Sequence, residues 1–135
     1  VLRLHQLILP LVDHQVVQEE FDALGGVYTL GGNFRQCDTF PVALNAKSQG
    51  TAADVFKHVL GTLHRRLCVE LPKVRIILIV HDEIILEVPN TLVLQARNMV
   101  ATEMENGGTY FGLSVPLAVT AKVGTTYGQL TKMPT

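Results

Sequence analysis

The sequence predicts an α+β domain in which an antiparallel sheet, built around a central β-hairpin, is backed by helices. Two apolar runs, residues 74–80 and 84–88, are rich in Ile, Leu and Val and are separated by a few polar residues, as in a hairpin. Apolar residues recur at helical spacing over residues 49–67. They alternate with polar or small residues over residues 117–123, which is typical of a strand with one covered face.

The first half of the chain is predicted to hold a helix and a short strand pair. Residues 2–24 are helix-prone, and Pro10 is expected to kink or divide that helix because proline supplies no amide donor. Gly25 and Gly26 are expected to end the helix. Aromatic and β-branched residues flank a second Gly-Gly pair, which predicts strands over residues 27–30 and 34–37.

The second half is predicted to hold two helices around the hairpin, followed by a strand. The helix over residues 49–67 carries one apolar stripe and a polar side. That polar side is expected to hold Asp54, Lys57, His64 and Arg65. The nearly continuous apolar content of the hairpin indicates that both of its faces are covered. A third helix is expected to begin at Pro89 and Asn90 and to end at Gly107 and Gly108.

Composition limits the classes of protein that this chain can represent. Its 135 residues, 47% of them hydrophobic, are enough for one compact unit with a core. A net charge of -1 gives no overall basic surface, so any contact with nucleic acid must use a local surface or other parts of a larger protein. Cys37 and Cys68 are too few for a disulfide framework and are expected to be packing residues in a reducing compartment.

Neither a membrane span nor a cleavable signal segment is recognisable in the sequence. No apolar stretch approaches the roughly 18 residues that a span requires. A cytoplasmic or otherwise intracellular location without membrane partners is therefore expected.

The turn of the central hairpin is the first candidate for chemistry. His81, Asp82 and Glu83 place an imidazole and two adjacent carboxylates between the two apolar runs. A divalent cation could offset both the repulsion between the carboxylates and the cost of their partial burial. An ordinary acidic turn between buried strands is the alternative that these residues leave open.

A second segment resembles a known family when it is combined with this turn. Residues 45–54 read Asn-Ala-Lys-Ser-Gln-Gly-Thr-Ala-Ala-Asp, and residues 80–83 read Val-His-Asp-Glu. Together they closely resemble the C-terminal palm of family A DNA polymerases. Residues 25–35 are similar to the Gly-x-Val-x-Thr-Leu-x-Gly-x-x-Arg stretch of that family. Val-Pro-Leu at 115–117 and Gly-Thr-Thr-Tyr at 124–127 are similar to its closing strand, so the resemblance covers about residues 25–127.

The resemblance implies a two-metal nucleotidyl transfer that uses Mg²⁺, primer-template DNA and dNTP. It implies that Asp82 is a catalytic metal ligand, because Mg²⁺ prefers hard carboxylate oxygens. Glu83 is expected to assist as a ligand through water or by fixing the geometry of the turn. His81 is expected near the primer terminus, with a turn histidine bonded to the backbone as its structural alternative.

The resemblance also implies contacts with the DNA minor groove. Asn45 and Gln49 are four residues apart, so a helix places both on one face. Their amides can donate to the purine N3 and pyrimidine O2 acceptors that every base pair presents there. Arg35 is the remaining basic residue of the Thr-Leu-x-Gly stretch and is expected to contact DNA. The alternative is that Asn45 caps the helix and Gln49 is an exposed polar residue.

The chain departs from the family pattern in two ways. Pro41 stands where an Arg is common and Lys47 replaces a frequent Pro, a divergence compatible with a viral or organellar source. The Asp-Tyr/Phe-Ser strand with the family's other metal-binding aspartate has no counterpart, nor do the fingers, thumb and exonuclease segments. About half a palm is present, so the isolated chain is predicted to be inactive and to need the missing segments in cis or in trans.

Two other functions remain open at this stage. A non-catalytic DNA-binding or interaction module of the same fold would use Asn45 and Gln49 while Asp82 becomes incidental. A small metal-dependent phosphohydrolase would use Asp82, Glu83 and His81. The sequence shows no second acidic pair at a spacing that suggests a complete metal site.

Overall fold

The computed structural model describes residues 1–7, 13–113 and 117–134, with the backbone alone for residues 4–7. Seven strands and three α-helices follow one another along these residues, and two short 3₁₀ turns flank the last helix, at Asn90–Leu92 and Gly107–Phe111. The strands are β1 (Leu2–Leu7), β2 (Gly26–Tyr28), β3 (Phe34–Gln36), β4 (Arg75–Val80), β5 (Glu83–Glu87), β6 (Ala118–Val123) and β7 (Thr131–Lys132). The helices are α1 (His14–Leu24), α2 (Phe40–Glu70) and α3 (Val93–Asn106).

The predicted α+β class is confirmed, with a five-stranded antiparallel sheet in the order β4-β5-β1-β6-β7. α2 and α3 pack on one face of that sheet. Their contacts with it form the main core, which includes Leu2, Val59, Leu63, Ile84 and Val100, each at most 1% exposed. Complete burial of a side chain of this size contributes about 1.5–3 kcal/mol.

The prediction of a helix over residues 2–24 is wrong for its first part, because Leu2–Leu7 forms the central strand β1. Leu2 pairs with Leu86 on one side and with Val123 on the other, so the strand gains two ladders of hydrogen bonds from distant segments. The tertiary pairing outweighs the local helix propensity. Pro10, where a kink was expected, lies outside the described residues.

The second part of that prediction is confirmed by α1. Asp13 caps the helix, since its Oδ1 accepts hydrogen bonds from the amides of Gln15 (2.9 Å) and Val16 (3.4 Å). Gly25 ends the helix at φ 65°, in the left-handed region that glycine adopts without a Cβ clash. A small second core joins this helix to α2 and β2 through Val17, Val27 and Ala43.

The long helix α2 begins at Phe40, nine residues before the predicted start at residue 49. Pro41 lies in its first turn, where the missing amide donor costs no hydrogen bond. The predicted apolar stripe is confirmed, since Phe56, Val59, Leu63 and Leu67 are buried. Asp54 was expected on the exposed side of this helix, but it is buried, at 8% exposure.

The central hairpin is confirmed as β4 and β5, but the prediction that both faces are covered is wrong for β4. β5 lies inside the sheet and its Ile84, Ile85 and Leu86 are buried, whereas β4 is an edge strand. Three consecutive residues of β4, Ile77, Leu78 and Ile79, remain about half exposed at 47–52%. A register shift between Ile76 and Leu78 marks a β-bulge at this edge.

The remaining elements follow the sequence prediction closely. β2 and β3 form the expected strand pair, and Val27 lies opposite Arg35. α3 ends at Asn106, directly before the predicted glycine pair, and β6 ends at Val123 as expected. The predicted start of α3 at Pro89 and Asn90 is instead a 3₁₀ turn, and the α-helix begins at Val93. Of the two cysteines, Cys37 is buried, but Cys68 is exposed and is therefore not the packing residue that was expected.

Among the described residues, no helix combines the length and the apolar character needed to cross a bilayer.

Candidate functional site

The hairpin turn consists of two residues, His81 and Asp82, closed by the pairing of Val80 with Glu83. His81 has φ 54°, in the left-handed region that non-glycine residues seldom adopt. Such a conformation persists only where the surrounding structure imposes it, and here a two-residue turn between two paired strands does so. The turn exposes His81, partly buries Asp82 and buries Glu83.

A groove of about 610 Å³ runs between α2 and this turn. It brings together three residues that the sequence singled out, Gln49, His81 and Asp82. Lys57 also lines the groove, and apolar side chains complete its walls: Ala52, Ala53, Phe56, Leu60 and Ile79. The groove thus combines an amide, an imidazole, a carboxylate and an ammonium group on an apolar base, which is the usual composition of a ligand site.

Asn45 and Arg35 lie outside the lining of this groove. Asn45 is exposed one helical turn before Gln49, about 6 Å away along the axis of α2. Because Thr39 holds the N-cap position of α2, the alternative that Asn45 caps the helix is wrong. Arg35 is exposed on β3, in the two-stranded sheet.

Glu83 is engaged by Arg3, a residue that the sequence analysis did not single out. The guanidinium of Arg3 donates to the Glu83 carboxylate across neighbouring strands β1 and β5. This hydrogen bond is the main reason that the pKa of Arg3 lies above its ordinary value. Eighty residues separate the partners. No local pattern could have revealed the pair, which depends on the unexpected strand β1.

The donor set of the described chain fits part of a magnesium site. No group of three or more His, Cys, Asp or Glu side chains is close enough to hold an ion among the residues that the structure describes. Asp82 supplies a hard carboxylate oxygen at the groove, while Glu83 is bound to Arg3. Mg²⁺ often takes only one or two protein carboxylates, together with water and substrate phosphates. Asp82 therefore fits as one ligand, and a second carboxylate would have to come from outside the described residues.

Asp54 organises the turn between β2 and β3, and the sequence analysis missed this role. Its carboxylate accepts hydrogen bonds from the Thr29 hydroxyl, the Gly31 amide (3.2 Å) and the Asn33 side-chain amide (2.9 Å). A Cβ on Gly31 would lie 2.4 Å from Asp54 Oδ2, so this turn can approach Asp54 only with glycine there. The network fixes the glycine-rich turn against α2, and Asp54 lies about 7.5 Å from Gln49 along the axis of that helix.

Lys47, one of the departures from the family pattern, joins α2 to α1. Its ammonium lies 2.8 Å from Glu20 Oε2, and the amide of Tyr28 donates to Oε1 of the same carboxylate at 2.8 Å. Burial raises the pKa of Glu20, but the two hydrogen bonds outweigh this effect and the net pKa lies below its usual value. The substitution of Pro by Lys thus adds an ion pair between the two helices.

Comparisons with known proteins, by sequence and by structure, point to the same family of proteins. The family model for DNA polymerase family A matches residues 33–129. The chain is 31% identical to DNA polymerase I of Chloroflexus aurantiacus over 131 residues, which are 97% of this chain and 13% of that protein. It is 39% identical to DNA polymerase I of Pseudomonas aeruginosa over 87 residues, which are 64% of this chain and 9% of that protein.

A solved structure with a similar fold is the POL domain of Pol1 from M. smegmatis, in complex with DNA primer-template and dNTP. The match has a TM-score of 0.69 and 27% sequence identity, and it covers 80% of this chain and 21% of that chain. The chain therefore spans a small fraction of the length of these relatives. Since the family model matches well over half of its residues, the chain belongs to DNA polymerase family A.

Proposed function

We propose that residues 1–135 form a single unit, the C-terminal part of a polymerase palm domain, that serves template-directed DNA synthesis. In this proposal the rest of the palm, the fingers and the thumb are supplied in cis or in trans. The observation that carries the proposal is the groove that unites Gln49, His81 and Asp82. The M. smegmatis relative was solved with DNA primer-template and dNTP, and these are the proposed substrates.

Gln49 is the proposed sensor of the DNA minor groove. Its side chain lies on α2 at the groove, and its amide can donate to the acceptor that either base of a Watson-Crick pair presents there. Asn45, one turn earlier on the same helix, would follow the duplex away from the reacting end. Arg35, on the neighbouring strand pair, is proposed to contact the phosphate backbone, for which its exposed guanidinium is suited.

Asp82 and His81 are proposed to act at the reacting end of the primer. Asp82 would hold Mg²⁺, which as a Lewis acid stabilises the charge that develops on the reacting oxygens. The two-residue turn holds the imidazole of His81 next to Asp82, where it can bind the primer terminus. The proposed role of Glu83 is to fix the turn through Arg3, because its carboxylate is already bound to that cation.

A second candidate, a non-catalytic DNA-binding module of the same fold, is favoured by this Arg3–Glu83 pair. An internal cation bound to Glu83, the residue that follows Asp82, reduces the local negative charge that would attract a divalent ion. Such a module would retain the use of Gln49 and lose the requirement for Asp82.

A chimaera tests the two candidates against each other. The whole chain, which keeps the Arg3–Glu83 pair, replaces the matching segment of Chloroflexus aurantiacus DNA polymerase I, and primer extension is measured with Mg²⁺. We expect metal-dependent extension by the chimaera. If it binds primer-template DNA but extends no primer, the non-catalytic module is the correct function.

The same chimaera tests the role of Gln49. Gln49→Ala should leave folding intact and slow extension by about tenfold or more, since a positioned donor contributes roughly 1–3 kcal/mol. A template base that lacks its minor-groove acceptor should slow the parent but add little to the loss in Gln49→Ala. If the two losses multiply instead, Gln49 does not make this contact.

A further inference from the structure

Three cationic residues are aligned across three adjacent strands of the sheet. Arg3 on β1 lies directly opposite Lys122 on β6, and Lys122 lies directly opposite Lys132 on β7. Residues that are directly opposite in a sheet share a face, and the strands are about 4.8 Å apart. Since Leu2 and Ala121 point into the core, this cation row lies on the opposite face of the sheet.

The charges of the cation row are poorly compensated within the described chain. Arg3 and Lys122 line one small recess of about 120 Å³ with Glu83 and Thr120, so two cations share one carboxylate there. That carboxylate is bound to Arg3. The side-chain ammonium of Lys122 makes no hydrogen bond or ion pair with any residue in the described ranges. Like charges directly opposite in a sheet destabilise it, so the row favours an additional anion.

Arg3 is held in place from two sides, so the recess is preorganised. Glu83 accepts from its guanidinium, and the ring of Tyr127 lies 5.9 Å from the guanidinium carbon, within the range of a cation–π contact. The hydroxyl of Thr120 adds a neutral donor at the same recess. A guanidinium, an ammonium and a hydroxyl together suit the oxygens of a phosphate group.

We propose that the cation row of Arg3, Lys122 and Lys132 binds closely spaced phosphate groups. The row extends over two strand spacings, about 10 Å, so that neighbouring phosphates of one ligand can each meet a cation. A polyphosphate and the backbone of a nucleic acid share this chemistry. The site uses none of the residues Gln49, His81 or Asp82, and its test is independent of DNA synthesis.

Isothermal titration calorimetry tests the proposal by measuring the affinity of the chain for inorganic tripolyphosphate at low salt. Lys122→Gln should weaken binding by about tenfold, because it removes the central cation of the row. Lys73→Gln makes the same charge change at an exposed lysine between α2 and β4, and it should bind like the parent. Undetectable binding by the parent, equal binding by Lys122→Gln, or an equal loss in Lys73→Gln would each overturn the proposal.

A second measurement separates loss of the site from loss of the fold. Without ligand, Lys122→Gln should melt at the same temperature as the parent or higher, since it relieves repulsion between opposite cations. With tripolyphosphate the parent should gain thermal stability and the variant should gain much less. Equal gains would contradict the proposal.

A single-stranded oligothymidylate distinguishes the two sources of phosphate. If the row serves a nucleic-acid backbone, Lys122→Gln weakens oligonucleotide binding and reduces its salt dependence by about one phosphate contact. If it serves a polyphosphate, the variant loses tripolyphosphate binding alone. Either result supports a phosphate site, and an unchanged affinity for both ligands refutes it.

Discussion

Substitution of Asp54 by Ala should destabilise the chain by about 2–6 kcal/mol, because three donors of one turn share its carboxylate. Thr29 is 4% exposed, so its hydroxyl loses a partner that water cannot easily replace, at a cost of about 1–3 kcal/mol. Gly31 and Asn33 are exposed and regain water. Each of these two bonds therefore contributes a net loss of only about 0.5–1.5 kcal/mol.

Urea unfolding of the 135-residue chain measures this loss directly. In a thermal melt the same change should lower Tm by roughly 7–20 °C. Asp54→Asn retains one carbonyl oxygen as acceptor, so it should lose clearly less stability than Asp54→Ala. Asp38→Ala, a change at an exposed residue, should remain within about 0.5 kcal/mol of the parent.

Two results would refute the role assigned to Asp54. The first is an Asp54→Ala variant within about 0.5 kcal/mol of the parent, which would mean that the turn needs no acceptor there. The second is an Asp54→Asn variant as unstable as Asp54→Ala, which would attribute the effect to something other than the shared oxygen atoms.

Two further predictions concern activity and pH. The isolated chain should incorporate no nucleotide on a primed template with Mg²⁺, because a two-metal site needs carboxylates beyond Asp82; robust extension by the purified chain would contradict this. The pKa of Glu20 is lowered on folding, so its contribution to stability is complete above the unfolded pKa and is lost as pH falls through the folded value. Glu20→Gln should therefore flatten the acid side of a stability–pH profile, whereas Glu19→Gln, at an exposed neighbour, should not.

The elements that could be predicted from sequence are those whose periodicity is local. The stripe of α2, the alternation in β6 and the apolar runs of the hairpin are each determined by neighbouring residues. β1 could not be predicted, because Leu2–Leu7 becomes a strand through partners about 80 and 120 residues away. The exposure of β4 follows from its position at the edge of the sheet, which the residues of the strand do not encode.

The residues of the candidate site also fall into those that the sequence could predict and those that it could not. Gln49, His81 and Asp82 were singled out by the family resemblance, and the structure gathers them at one groove. Arg3 and Asp54 were not predicted, since each acts on a segment far away in sequence, Arg3 on Glu83 and Asp54 on the turn at residues 29–33. Charged residues in an amphipathic pattern look solvated until the packing of other segments is known.

Single-turnover nucleotide incorporation by the polymerase chimaera with Asp82→Asn is the most direct test of the central claim, that Asp82 serves metal-dependent DNA synthesis. The substitution keeps the size of the side chain and removes its charge, so incorporation should fall by about 10³-fold or more while the affinity for primer-template DNA changes little. Asp38→Asn, an exposed residue outside the groove, provides the matched control and should retain the parent rate. A rate for Asp82→Asn within about tenfold of the parent would contradict the claim.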